Sequence, residues 1–564
     1  MTQNQTIPES PSGAYTEATP AQESAVRQPA LSYFPLPQAR KGQKLVIEEV
    51  EKAFLAGKRI VILEAPVGSG KSAIAMTFAR QASSSHIITP RKSLQDQYYE
   101  DFKDDVVLMK GRGAYPCTID SPITTYNKVV RQIKRGMIIS PAYGEDNCAN
   151  APCRNSEAVW KACTQDNTRP CPYQVAIEVA QESPAIVHNI HSFIFQTNFG
   201  MKFDQREIMI IDEAHEIENT IRGFITKKMV VPSIVDASEV PALRNVNEWC
   251  DFFLQDRFVP EETAYERRQK ETDENYESER DQYVARVETL RLNHDYYGEN
   301  FTVSRNEHRS GLQVTGTAFE FIPHSIGNAA HRYLFDYGEK VLLMSGTIYD
   351  KDMYCKCVGI NPEDAYFIRI PSTFPVENRR IYVKPEYQVD TSHRNWEDNF
   401  DEMVGKIQKI MGIFGDAKGL IHVPSYDAMN RIALSLDSPR VMIHDKGDVS
   451  SKLQDFYASK EPLVFISPVC QQGVDFKYDR ARFQIVTRVP YANTSDPFMA
   501  HMVENDFNWY NYQALIVFGQ MVGRVNRAED DFGVTFLMDE RFNRFISRNS
   551  KKLPRWLQQA FVYK

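Results

Sequence analysis

No apolar run in this chain of 564 residues is long enough to span a bilayer, so no membrane partner is expected. A basic surplus is also missing. The 66 Lys and Arg face 74 Asp and Glu, for a net charge of −8, so no global field draws the chain to a polyanion. Nucleic-acid binding would need a local basic groove instead. The opening stretch "MTQNQTIPESPSGAYTEATPAQESAVRQPALS" lacks the charged-then-apolar layout of a secretory signal. Polar and rich in Pro, Ser, Thr and Gln, residues 1–32 read as a disordered tail. The expected setting is therefore cytoplasmic and reducing, where disulfides are rare. Cysteine is scarce, nine in all, and no two have the C-x-x-C spacing of common zinc modules. Yet five of the nine (Cys117, Cys148, Cys153, Cys163 and Cys171) crowd into one short stretch.

The remaining composition is that of an ordinary globular protein, 42% hydrophobic and 25% charged. Its length suggests roughly two to four domains. The first chemical signal is "LEAPVGSGKSAIAMTFAR". It fits the phosphate-binding pattern G-x-x-x-x-G-K-[ST] except that Ala65 replaces the first glycine. A β-rich run precedes it and a helical pattern follows, which is the context the motif requires. Gly68, Ser69 and Gly70 let backbone N–H groups close on phosphates at a helix N-terminus. Lys71 would reach the terminal phosphates of ATP, and Ser72 would hold Mg²⁺. The second signal is "REIMIIDEAHEIE", an apolar strand that delivers Asp212 and Glu213 to its end. Adjacent buried carboxylates are costly without a cation. With Mg²⁺-ATP present, Asp212 serves the metal through water and Glu213 orients the attacking water. The third is "FGQMVGRVNRAED", where Gln520, Arg524 and Arg527 stand at helical spacing, the arginines on one expected helical face. Such cations suit a γ-phosphate in its transition state. A metabolic P-loop kinase would carry neither this arginine pair nor a cysteine insert.

These stretches, in order, resemble a superfamily two helicase with the DEAH form of the acidic motif, and more narrowly the iron–sulfur helicases of the XPD/DinG group. "ARKGQ", with Arg40 and Gln43, is similar to the upstream segment that contacts nucleotide. "ITPRKSLQDQ" resembles motif Ia, and "MKGRGAYPC" the family's Lys-Gly-Arg-x-Asn-Tyr-x-Cys with Ala114 for Asn. "VHNIHSF" resembles the segment before the acidic strand, "LLMSGTI" motif III, "GLIHVPSY" motif IV and "SPVCQQGVD" motif V. "STFPVENRR" resembles the family's Ser-Pro-Phe-Pro segment, with Thr373 for Pro. The likeness runs from about residue 33 to the C-terminus.

The resemblance implies an α/β fold of two RecA-like parallel-sheet motor domains. It places motor domain 1 at 33–224 and 316–375, a cysteine-rich insert at 112–175, a helical Arch insert at 225–315 and motor domain 2 at 376–564. It also implies a 4Fe–4S cluster, where spacing alone leaves iron and zinc open. Cys117 matches the family's first ligand and Cys171 its last. Cys163 is the expected third, and the fourth is Cys153, with Cys148 as the alternate. The cluster would staple an insert too polar to fold alone. Two lobes would sandwich ATP, with Gly346 and Thr347 coupling hydrolysis to movement and Gly473 and Asp475 linking the site to DNA. Arg91, Arg112, Ser425 and Tyr426 are candidate contacts to single-stranded or forked DNA. The implied activity is ATP-dependent unwinding with 5′ to 3′ translocation by a monomer, at the nucleoid of a bacterial or virus-infected cell or, in a eukaryote, in the nucleus. The alternative is a DNA-stimulated ATPase that clamps or remodels without processive unwinding.

Overall fold

A computed structural model of the chain describes residues 28–117, 126–135, 148, 171–272, 276–292, 300–310, 313–470, 474 and 476–563. Two seven-stranded sheets carry the architecture. The first is formed by β1 (Ile60–Glu64), β2 (Ser85–Thr89), β3 (Val107–Met109), β4 (Ala185–Asn189), β5 (Arg206–Ile211), β9 (Gly338–Ser345) and β10 (Ala365–Arg369). Its order is β10-β1-β9-β5-β2-β4-β3, and every pairing is parallel. The runs "IVILE" and "SHIIT" are buried along their whole length, as strands covered on both faces must be. The same lobe contains α1 (Lys41–Leu55), which precedes β1, and α2 (Lys71–Gln81), α3 (Lys92–Phe102), α4 (Pro172–Gln181) and α5 (Ile217–Ile225), which follow strands of the sheet, among others.

The second sheet consists of β11 (Ile381–Tyr382), β12 (Gly419–His422), β13 (Val441–Met442), β14 (Val464–Ser467), β15 (Phe483–Val486), β16 (Val534–Leu537) and β17 (Phe561–Val562). Its order is β13-β14-β12-β15-β16-β11-β17, again parallel throughout. The long α6 (Phe507–Val522) returns from this lobe to the first, and one apolar cluster joins Ile217, Ile221 and Tyr354 to Trp509, Leu515 and Phe518. The two-lobed parallel α/β architecture expected from the motifs is therefore the one observed.

Three details differ from expectation. Ala30, inside the stretch read as tail, is fully buried, and its N–H donates to Glu51 Oε1 at 2.7 Å. The segment between motifs II and III holds the expected charged helices, Ala264–Thr272 and Glu279–Leu292. It also holds a three-stranded antiparallel sheet, order β6-β8-β7, from β6 (Lys227–Val231), β7 (Phe301–Ser310) and β8 (Gln313–Pro323). Its Phe319 and Phe321 pack with Trp249 and Phe253, so this insert has an aromatic core of its own. Finally, the arginines of the third motif are not on a helix. α6 ends at Val522 with Gly523 at its cap, and Arg524 and Arg527 lie in the turn that follows.

Candidate active site

Register lines up the strand ends of the first sheet. Glu64 of β1 stands beside Ser345 of β9 and Arg369 of β10, and Ile211 of β5 beside Leu343. The loop after β1, the carboxylates after β5 and the Ser-Gly-Thr after β9 thus emerge on one edge, where open α/β sheets bind ligands. Glu64 is buried and held by Arg369 at 2.9 Å and by the Tyr349 N–H at 2.7 Å, which anchors the strand just before the loop.

The loop answers the missing glycine. The left-handed positions are Gly68 (φ 76) and Gly70 (φ 78); Ala65 is not one of them. It is buried in ordinary backbone, and its N–H donates to the Ser345 carbonyl at 2.8 Å. Alanine therefore meets the demand at that position, whereas a side chain at Gly68 would collide with the Phe374 ring and one at Gly70 with Gln43. Gln43 Nε2 donates to the Ser69 carbonyl (3.2 Å) and Arg40 Nη1 to the Gly68 carbonyl (3.1 Å), so the upstream segment braces the loop. Lys71 opens α2 and reaches back to the Ala65 carbonyl at 3.4 Å.

Asp212 is buried, accepting from the Tyr98 hydroxyl at 3.0 Å and from the Glu213 N–H at 2.9 Å. Burial, and then the neighbouring Glu213, raise its pKa to about 6. Glu213 behaves in the opposite way. Burial pulls its pKa up, but Lys71, His215, Arg527 and Arg91 outweigh that and hold it below the usual carboxylate range. Its backbone is left-handed at φ 52, a strained state for a non-glycine residue.

A hydrogen-bonded chain crosses from lobe to lobe. His215 Nδ1 meets Ser345 Oγ at 2.9 Å, and Ser345 Oγ accepts from the Thr347 N–H at 3.1 Å. Gln520 Nε2 donates to Thr347 Oγ1 at 2.7 Å, and Arg524 Nη2 to Gln520 Oε1 at 3.3 Å. A cavity of about 350 Å³ is lined by Lys71, Glu213, His215 and Thr347 from lobe one and by Gln520, Arg524 and Arg527 from lobe two. The carboxylate and guanidinium groups that sequence order alone separated thus face one space. Its lining further includes Phe374 and Arg379, both within "STFPVENRR", and Trp556, which no motif singles out.

Of the cysteines expected as ligands, Cys117, Cys148 and Cys171 are described; Cys153 and Cys163 lie outside the described residues, as do Gly473 and Asp475. Cys148 and Cys171 hydrogen-bond to each other. That contact first, and then the backbone N–H groups of Gln174 and Tyr173, bring Cys171 down to about 6 against its burial. Cys148 is pushed up by the same bond and by burial. Two facing thiols, one at the N-terminus of α4, suit a thiolate-held metal centre. Among the described residues no group of three or more metal-ligating side chains occurs. The four candidate DNA contacts each have partners within the chain. Arg112 bonds Cys148 and lies over the Tyr173 ring, while Arg91 pairs with Glu216 at 3.1 Å and lines the cavity. Ser425 caps a helix by accepting from the Ala428 N–H, and Tyr426 packs edge-on to His444.

Comparison with known proteins points the same way. Residues 36–236 match the model described as type III restriction enzyme, res subunit, and residues 409–560 that of the helicase C-terminal domain. The chain is 19% identical over 600 aligned positions to the ATP-dependent DNA helicase YoaA of Escherichia coli (strain K12), covering 89% of this chain and 91% of that one. It is 31% identical over 259 positions to the XPD subunit of the general transcription and DNA repair factor IIH of Schizosaccharomyces pombe, covering 40% of this chain and 33% of that protein. A solved XPD helicase superposes with a TM-score of 0.57 at 15% identity, covering 94% of this chain and all of that one. The Xpd4 structure from S. tokodaii gives 0.54 at 13% identity, covering 93% and 100%. At such identities the superpositions speak to fold.

Proposed function

This chain belongs to the XPD/DinG-like helicases, and from that premise we propose that it is an ATP-dependent DNA helicase that moves 5′ to 3′ along single-stranded DNA and splits duplex ahead of it. The observation that carries the reading is the shared cavity, with Lys71 and Glu213 on one wall and Arg524 and Arg527 on the other. Lys71 neutralises terminal phosphate charge. Glu213, held ionised by the cations around it, orients the attacking water and accepts its proton. Arg527 and Arg524 meet charge that develops on the γ-phosphate, so turnover requires the lobes to be closed. The chain from His215 through Ser345, Thr347 and Gln520 to Arg524 lets the acidic motif sense that closure. ATP favours the closed state, its hydrolysis releases it, and this differential affinity is what drives stepping.

Ser72 and Asp212 would hold Mg²⁺, which when bound supplies positive charge to the β- and γ-phosphates. For the 4Fe–4S cluster, Cys117 and Cys171 are the proposed outer ligands with Cys163 between. The seat of Cys148 against Cys171 supports Cys148 as the fourth in preference to Cys153. The cluster would cross-link the cysteine insert, as an iron–sulfur staple does for a segment poor in core residues. Residues 225–315 would form a flap over the single strand, and 376–564 the second motor.

Strand displacement tests this directly. The wild-type chain with ATP should release the labelled strand from a duplex bearing a 5′ single-stranded tail, and Lys71→Ala should release none. DNA-stimulated hydrolysis without strand release would instead make the chain a clamp or remodelling ATPase. Hydrolysis that survives Lys71→Ala would remove the motor reading altogether.

A further inference from the structure

Tyr98 carries no motif signal, yet its hydroxyl lies at the centre of the acidic site. Its ring is 1% exposed, packed on α3 against Phe102 at 6.3 Å. One turn earlier, Gln95 Nε2 donates to the carbonyls of Met109 and Val187, both at 2.9 Å, which pins α3 to β3 and β4. The ring is therefore held by packing on a helix that is itself pinned to the sheet. That hydroxyl donates to Asp212 Oδ2 at 3.0 Å. With the Glu213 N–H on Oδ1 at 2.9 Å, both Asp212 oxygens are engaged and the carboxylate plane is set.

Building on the nucleotide reading of this cavity, we infer that Tyr98 is a positioning residue for the metal site, its hydroxyl fixing the orientation of the Asp212 carboxylate at the end of the acidic strand. The physical logic is economical. A buried carboxylate needs donors. A second cation beside it would compete with the metal, whereas a phenol O–H satisfies one lone pair and leaves the charge available. With the Tyr98 hydroxyl on one oxygen and the Glu213 N–H on the other, the carboxylate is oriented before a metal arrives. Outer partners of this kind typically change metal affinity by about 10- to 100-fold when removed.

The test uses the full chain, a fluorescent non-hydrolysable ATP analogue and titrated Mg²⁺. Tyr98→Phe keeps the ring and deletes the hydroxyl. It should raise the Mg²⁺ concentration for half-maximal nucleotide binding by about 10-fold, with nucleotide affinity in EDTA within about twofold of wild type. Tyr98→Leu, which loses the ring as well, separates packing from bonding. It should melt well below Tyr98→Phe yet show a similar Mg²⁺ shift. A Tyr98→Phe titration that superimposes on wild type, or a shift that tracks melting temperature across Phe and Leu, overturns the inference. A wild-type chain that binds no nucleotide overturns the reading beneath it.

Discussion

At the scale of the residue, Glu213 is where backbone, charge and chemistry meet. The strand β5 ends on Ile211, and two residues later the chain turns through φ 52, a conformation that side chains avoid unless the surroundings enforce it. The turn aims the carboxylate at Lys71, Arg91 and Arg527 rather than along the strand. Those cations hold it ionised at neutral pH, which a water-activating base requires. Glu213→Gln keeps the shape and deletes the charge. It should lower kcat for DNA-stimulated ATP hydrolysis by about 10²- to 10⁴-fold. Affinity for ATP should stay the same or rise, because a negative group beside the γ-phosphate is gone. Steady-state kinetics with an equilibrium binding curve checks both halves. A variant with normal kcat would show that another group activates the water.

At the scale of the element, α6 transmits between lobes, and one glycine lets it do so. A helix-interior glycine usually costs about 1 kcal/mol against alanine, so Gly519 needs a reason. A β-carbon there would strike the hydroxyl of Tyr349, itself buried beside the phosphate loop. Closer to the start of α6, Trp509 Nε1 and Gln513 Nε2 both donate at 2.7 Å to Glu218, on α5 just after the acidic motif. The helix is thus clamped at one end and pressed against lobe one at the other. Gly519→Ala should destabilise the fold by about 1–3 kcal/mol despite alanine's helix propensity. It should also cut kcat about tenfold by moving Gln520 off Thr347, as read by melting and ATPase assays. Stabilisation with unchanged turnover would show that the contact gives way. Such contacts explain what sequence can and cannot say here. The phosphate loop and the Asp-Glu pair are local patterns whose chemistry is fixed by neighbours in the chain, so Lys71, Ser72, Asp212 and Glu213 stand out unaided. Gln520, Arg524 and Arg527 follow from order and spacing, but the same spacing suggests a helix that Gly523 in fact ends. Tyr98 and Trp556 reach the site only through tertiary packing, and no pattern marks them. The sheet in the insert between motifs II and III is hidden because the charged helices inside it dominate the local composition.

At the scale of the whole molecule, each lobe buries neutral histidine within its sheet. In the first, His86 on β2 meets His188 on β4 at 3.3 Å, ringed by Phe193 and Phe203, with Arg206 nearby. Burial brings His86 down to about 3 and drives His188 well below its usual range. In the second, burial lowers His422 on β12 to about 4, its Nε2 bonded to Gln484 at 3.0 Å. In the unfolded chain all three take up protons below about pH 6.5. The folded chain does not, so it loses stability as pH falls, and the full contribution is present only above that point. From pH 6.5 to 5 the loss is about 2 kcal/mol per histidine. Asp212 opposes it. With a folded pKa raised to about 6, it gains a proton in the folded state over the same interval, returning about 1 kcal/mol. His324, lowered to about 4 chiefly by burial, adds to the fall, while Glu64, raised by burial, opposes it; the histidines outnumber the carboxylates and leave a net fall. Urea unfolding at pH 7 and pH 5 should therefore show a markedly lower midpoint at the acid end. His422→Gln should flatten that dependence by about one histidine's share, since it removes a titrating group without emptying the site. Parallel curves for the variant and the wild type would mean that His422 is protonated in the folded lobe, and that its bond to Gln484 is not the contact of a neutral ring.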